Sequence, residues 1–182
     1  GRGSEWRSIA PDSDATYAAE IDVDAAALEP MVARPPSEDN VVPVTDPSVR
    51  GLPIHEVYLG SCTNARFEDI QLFCDVIKGE RVAAGTRLIV TPASREVWRQ
   101  ALRAGLFEVL TDAGATIQSP GCGACPGVHG GIPGDGENVL STTNRNYVGR
   151  MGNPLAFTYL ASPATAAATA MHGVITDPRE VM

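Results

Sequence analysis

Long apolar runs are missing from these 182 residues. No stretch reaches the length of about 20 residues that a membrane-spanning helix needs, so no membrane partner is expected. A basic, apolar start of the secretory kind is also missing, and the expected location is cytoplasmic. Basic residues are few, 14 Lys and Arg against 22 Asp and Glu, with a net charge of -8. That balance argues against nucleic acid as the main partner. Lysine is almost absent: Lys78 is the one lysine, and the other basic residues are arginines. Histidine is scarce too. His55 and His172 have no chemistry around them, and His129 lies in a glycine-rich loop that suggests no catalytic role. The chain opens Gly1-Arg2-Gly3 without methionine and is expected to be a processed piece or fragment of something longer, or one subunit.

Residues 1–53 hold half of the prolines and many acids, in runs such as Pro11-Asp12-Ser13-Asp14 and Arg34-Pro35-Pro36-Ser37-Glu38-Asp39. They read as a Pro-rich, acidic N-terminal segment that wraps or links. Within it, Tyr17 to Val23 alternates as a strand would, and Ala25 to Leu28 suits a helical turn stopped by Pro30. Residues 54–182 read as an α/β domain. His55 to Leu59, Arg87 to Val90, Ala115 to Gln118 and Asn138 to Ser141 are the strand candidates. Phe67, Ile70, Phe73, Cys74 and Ile77 form one helical stripe ending at Gly79. Thr91-Pro92-Ala93-Ser94 opens a second helix with Val97, Trp98, Ala101 and Leu102 inward, and Leu106 to Ala113 continues as a third. Ser162-Pro163 caps an alanine-rich helix closed by Gly173. Strands alternating with helices predict a parallel-type sheet flanked by helices, with ligands beyond the carboxyl ends of its strands.

Three segments with chemistry follow strand candidates: Gly60-Ser61-Cys62-Thr63-Asn64, Gly121-Cys122-Gly123-Ala124-Cys125-Pro126-Gly127, and Thr142 to Gly152. A C-x-x-C pair can mean zinc, a redox disulfide or an iron-sulfur cluster. Four cysteines could also form two disulfides in a secreted protein, but C-x-x-C between glycines, without a signal sequence, favours metal. The third cysteine narrows the choice further. Three thiolates leave an iron-sulfur cube with one iron lacking a protein ligand, and an open metal position suits chemistry rather than electron transfer. Cys62 is expected at a helix start, where the thiolate is favoured. Cys74 lies on the apolar stripe and reads as a buried thiol. Arg145 and Arg150 suit a substrate with more than one carboxylate, because the guanidinium fork matches a carboxylate with two hydrogen bonds. Asn144 and Ser61 could orient a substrate hydroxyl or a cluster sulfide, and Asn64 could instead cap the helix.

Gly60-Ser61-Cys62-Thr63-Asn64, Pro120-Gly121-Cys122-Gly123-Ala124-Cys125 and Thr143-Asn144-Arg145-Asn146-Tyr147-Val148-Gly149-Arg150 resemble the aconitase superfamily of iron-sulfur hydro-lyases. Gly149-Arg150-Met151-Gly152 and Val128-His129-Gly130-Gly131 look closer to its isopropylmalate dehydratase large-subunit and homoaconitase branch. The resemblance covers the cluster-binding domain only. It implies a [4Fe-4S] cluster on Cys62, Cys122 and Cys125, and a small hydroxy-carboxylic acid substrate held by Asn144, Arg145, Arg150 and Ser61. The implied reaction is reversible dehydration and rehydration of a di- or tricarboxylic acid. The family's acid and base residues have no counterpart here, so no catalytic residue is assigned. Other domains or subunits are expected partners, among them a small subunit carrying the base, and the isolated chain is expected to be inactive. A non-catalytic iron-sulfur sensor or interaction module, or a structural zinc protein, are the competing readings.

Overall fold

The computed structural model describes residues 7–182. The remaining part of the expected N-terminal segment, residues 1–6, lies outside the described residues. Seven strands form one sheet: β1 (Met31–Ala33), β2 (Val41–Pro43), β3 (Glu56–Gly60), β4 (Arg87–Thr91), β5 (Thr116–Ile117), β6 (Asn138–Ser141) and β7 (Phe157–Ala161). Their spatial order is β2-β1-β7-β6-β3-β4-β5. The five strands from β3 to β7 run parallel, and β1 and β2 close one edge in antiparallel fashion. All five residues of β3 are buried, as expected of a central parallel strand covered on both faces. From β3 the chain steps outward to β4 and β5, then returns to β6 and moves outward the other way to β7. The direction reverses between β3 and β6, and that crevice is where sheets of this kind receive ligands.

The expected sheet flanked by helices is present, and its α-helices share one face. Helix α1 (Phe67–Ile77) buries Ile70, Phe73, Cys74 and Ile77, at the spacing of one helical stripe. Helix α2 (Arg95–Arg103) is capped by Ser94, whose Oγ accepts from Val97 N, and α3 (Leu106–Ala113) follows Gly105. Helix α4 (Pro163–His172) is capped by Ser162 and closed by Gly173, with Ala166, Ala167, Ala168 and Ala170 fully buried against its neighbours. These helices enclose a core with Val57, Leu59, Leu88, Val90 and Leu140 from the strands. Tyr58, Ile89 and Val139 point to the opposite face. There they meet Ala124, Cys125 and Met151 from two loops, 118–137 and 142–156, and no helical residue joins that second cluster.

Several sequence expectations need correction. Tyr17 to Val23 forms no strand: the segment alternates but has no neighbour to pair with among the described residues, and Tyr17, Ile21 and Val23 are exposed. The helical turn expected at Ala25 to Leu28 is present, as 3-10 helix over Ala25–Ala27. Leu102 is half exposed rather than inward, because α2 buries only Ala101 fully. Strands β1, β2 and β7 escaped the sequence reading. Val32, Val44 and Val49, from the stretch read as a wrapping segment, are fully buried in the helix-side core.

On the loop face, the first residues of β3 and β4 pair as Glu56 and Arg87. Glu56 is fully buried; its Oε2 accepts from Arg87 Nη2 at 3.1 Å, and its Oε1 has no partner. Burial pushes the Glu56 carboxyl up to about 7 despite the guanidinium beside it. Arg87 also grips Glu137, and that pairing holds the Glu137 carboxyl down at about 2.

Candidate functional site

Strand β3 ends at Gly60, and the end of β6 is stitched to it. Thr142 Oγ1 accepts from Gly60 N at 3.1 Å and lies 3.2 Å from Gly60 O, while Thr142 N donates to Tyr58 O at 3.0 Å. The two loops beyond the switch point therefore leave from one place. Ser61 comes next, with a buried Oγ that has no hydrogen-bond partner. Cys62 and Thr63 are exposed in a bend. Cys62 lies ahead of α1 rather than at its start. The N-cap is Arg66, whose N donates to Asp69 Oδ2 at 3.0 Å. Asn64 does not cap the helix either; its Oδ1 accepts from Ala65 N at 2.9 Å.

The second loop folds back over the sheet edge. Cys125 N donates to Cys122 O at 3.1 Å, Gly127 N to Ala124 O at 2.8 Å, and Tyr58 OH lies 3.1 Å from Cys122 O. Cys122 is exposed and Cys125 is 5% exposed. Gly127 has φ +71, and a Cβ there would stand 2.4 Å from the backbone of Gly152. Only glycine fits where these two main chains touch. That contact sets the third loop against the cysteines, and Arg150 Nη2 donates to Cys125 Sγ at 3.3 Å. Arg150 also lies over the Tyr147 ring at 5.7 Å, and its Nε is buried without a partner. Arg145 points elsewhere: its Nε meets Glu38 Oε1 at 3.3 Å and its Nη1 donates to Asn144 O at 2.8 Å. Asn144 is exposed.

Among the anticipated residues, Cys125 and Arg150 are thus in direct contact, while Arg145 is engaged by a loop of the N-terminal segment. All four cysteines are free. Among the described residues, no three His, Cys, Asp or Glu side chains are gathered into a ready metal site. Cys74 is buried on α1, its Sγ 3.6 Å from Leu106 O, and burial pushes its thiol up to about 12. His129 is exposed. His55 Nδ1 accepts from Asn138 N at 3.0 Å, and His172 Nδ1 lies 2.9 Å from Ala168 O. Tyr58, Thr91 and Gln118 were not anticipated. Their one sequence signal is a polar tip in or just after an apolar strand.

A family model described as the aconitase family (aconitate hydratase) matches residues 2–173. The chain belongs to the aconitase family. It is 52% identical over 177 residues to a 3-isopropylmalate dehydratase large subunit from Methanopyrus kandleri, covering 97% of this chain and 42% of that protein. Large subunits so named from Elusimicrobium minutum and Archaeoglobus fulgidus are 47% and 48% identical over 182 residues, covering all of this chain and 43% of each relative. This member of the aconitase family thus spans less than half the length of the curated relatives it matches. None of its helices, among the described residues, is long and apolar enough to cross a membrane.

Proposed function

We propose that this chain is the cluster-binding part of a [4Fe-4S] hydro-lyase of the 3-isopropylmalate dehydratase type. Cys62, Cys122 and Cys125 would hold the cluster and leave one iron without a protein ligand. The observation that carries the reading is the Arg150 guanidinium on Cys125 Sγ, with Cys125 packed against Tyr58 of β3 and Val139 of β6 on either side of the sheet's switch point. The donors also suit the group chemically: they are thiols, all free, on loops whose glycines allow close approach. When bound, the cluster supplies a Lewis acid for the substrate hydroxyl and its neighbouring carboxylate.

The chain's own residues would bind and orient. Arg150 and Arg145 each offer a fork for a substrate carboxylate. Arg145 must first leave Glu38, and an exposed pair of that kind is worth only about 0–1 kcal/mol, so a substrate carboxylate can replace it. Ser61 Oγ, buried and unpartnered beside Cys62, has a free hydrogen bond for a substrate oxygen or a sulfide. Asn144 can donate to a substrate hydroxyl. In the overall reaction, hydroxide leaves one carbon and a proton leaves the next, giving a cis-alkene acid and water. Water then adds back with the hydroxyl on the neighbouring carbon. The base that takes the proton would come from other domains or a small subunit, and the location would be cytoplasmic.

Anaerobic reconstitution followed by electron paramagnetic resonance tests the cluster. The expected result is a [3Fe-4S] to [4Fe-4S] interconversion that Cys62→Ser abolishes; unchanged iron content in that variant overturns the three-thiolate assignment. Mixing the loaded chain with the remaining domains and a small subunit should restore hydration of cis-alkene acids. Full loading with no turnover in that mixture would favour a non-catalytic sensor.

A further inference from the structure

The phenol of Tyr58 stands between the two cysteine-bearing segments. It is fully buried, and the residues around it are cut to its shape. A Cβ on Gly60 would lie 2.7 Å from Tyr58 Cε1, and one on Gly123 would lie 2.5 Å from its hydroxyl. Gly60 precedes Ser61 and Cys62, and Gly123 separates Cys122 from Ala124 and Cys125. The hydroxyl is 2.9 Å from Thr91 Oγ1 and 3.1 Å from Cys122 O. Thr91 Oγ1 in turn donates to Gln118 Oε1 at 3.1 Å, and Gln118 Nε2 donates to Gly130 O. The one Tyr58 hydroxyl proton is shared between Thr91 Oγ1 and Cys122 O, and the two ends of the chain, Cys122 and Gly130, bracket the cysteine loop. The same Gly123 Cβ would lie 3.1 Å from both Thr91 Oγ1 and Gln118 Oε1, so the loop is seated directly on the relay.

We infer that Tyr58 is a positioning residue: with Thr91 and Gln118, its phenol fixes the loop from Cys122 to Gly130 over the end of β3 and so places Cys125 relative to Cys62. Aliphatic packing alone would not do this, because the second cluster on this face is small and three of its members belong to the loops themselves. Directional hydrogen bonds, buried at Tyr58 and Thr91 and reaching the surface at Gln118, give the loop one height, where apolar contact would leave it free to slide. The relay needs no cluster; its consequence for holding one rests on the function proposed above.

Maleimide labelling of the cluster-free chain, read cysteine by cysteine by mass spectrometry, tests the brace. Tyr58→Phe keeps the ring and removes the hydroxyl. Cys125 should then label about tenfold faster, as expected when one buried hydrogen bond no longer opposes local opening. Cys74, buried among the helices, is the internal reference and should keep its rate. Gln118→Ala, which leaves the phenol in place, should give the same pattern. An unchanged Cys125 rate in both variants overturns the inference, and so does a Cys74 rate that rises in step with it, which would mean general loosening. In the reconstituted chain, the visible absorbance of the cluster should bleach about tenfold faster under a chelator in Tyr58→Phe, by the same local opening. Equal bleaching overturns the link to the cluster. A wild-type chain that takes up no iron would sink the proposed function, while the labelling result would still decide the role of Tyr58.

Discussion

Replacing Glu56 by glutamine should abolish a pH dependence of stability that the wild-type chain carries across the mildly acidic range. The carboxyl is fully buried at the head of β3, with one oxygen on Arg87 and the other unpartnered. Burial outweighs the guanidinium and raises it from 4.5 to about 7. In the unfolded chain the group ionises near 4.5, so between that pH and about 7 the folded state binds the extra proton. Its contribution to stability is therefore complete below 4.5 and is lost as pH rises through about 7. At about 1.4 kcal/mol for each tenfold change, the ceiling is about 3 kcal/mol, and water around the half-exposed Arg87 reduces it to about 1–3 kcal/mol. Other shifted groups act outside this window. Glu137 at about 2, with Asp46 and Asp177 also lowered, contributes stability that is lost only as pH falls below the ordinary carboxylate range. Cys74 and Tyr58 are raised and act at alkaline pH. Urea denaturation from about pH 4.5 to about pH 8 should show wild-type stability falling by about 1–3 kcal/mol, and that of Glu56→Gln staying level. Parallel curves for the two proteins would refute the reasoning.

Three further outcomes follow from the same structure. Gly127→Ala puts a Cβ 2.4 Å from main-chain atoms of Gly152 at φ +71. Backbone cannot swing aside, so a loss of about 2–4 kcal/mol in urea denaturation is expected from left-handed strain and overpacking together; unchanged stability would mean that the loops separate freely. Arg145→Lys should weaken binding of a dicarboxylate by about tenfold with little change in Tm, because a point charge cannot replace the fork. Equal loss of affinity and thermal stability would count against that role. Cys74→Ala should cost about 1 kcal/mol, the usual scale of a small buried truncation, and leave iron per chain unchanged. Loss of iron there would make Cys74 a ligand.

Where the sequence was legible, one residue pattern sufficed to specify one element. The stripe Ile70, Phe73, Cys74 and Ile77 marks α1, and Ser162-Pro163 with Gly173 brackets α4, because stripes and caps are local signals. β1 and β2 were illegible for the opposite reason. Three residues are too few for any period; β1 and β2 pair with each other as a short hairpin, and β1 joins the sheet through Val32 and Ala33 on Ala161 and Leu160, more than a hundred positions away. Tyr17 to Val23 has the alternation without a partner among the described residues, and stays irregular and exposed. The site divides in the same way. Cysteine and arginine announce their chemistry by type, so Cys62, Cys122, Cys125, Arg145 and Arg150 stood out at once. Tyr58, Thr91 and Gln118 act through partners on other strands and loops, and one at a time each reads as ordinary filling. Glu38 on Arg145 was hidden for that reason too.

The two faces of the sheet explain why the glycines gather where they do. A helix packs through side chains that hold its axis about 10 Å from the layer beneath, so a helix over Tyr58 would keep its own backbone away from the strand ends. Loops 118–137 and 142–156 come closer. Gly127 meets Gly152 main chain to main chain, and Gly123 sits on the phenol itself. Closeness of that kind excludes side chains, which removes most of the apolar burial that would otherwise hold the layer. Hydrogen bonds must then replace packing as the fastening, and the relay from Tyr58 to Gly130, with Thr142 on Gly60, supplies them. Side-chain packing on the helix face, and main-chain contact with hydrogen bonds on the loop face, are consequently different fastenings on opposite faces. Truncating Ile70 or Phe73 should lower the unfolding free energy and leave Cys125 labelling in the folded chain unchanged, whereas removing a hydroxyl on the loop face should do the reverse.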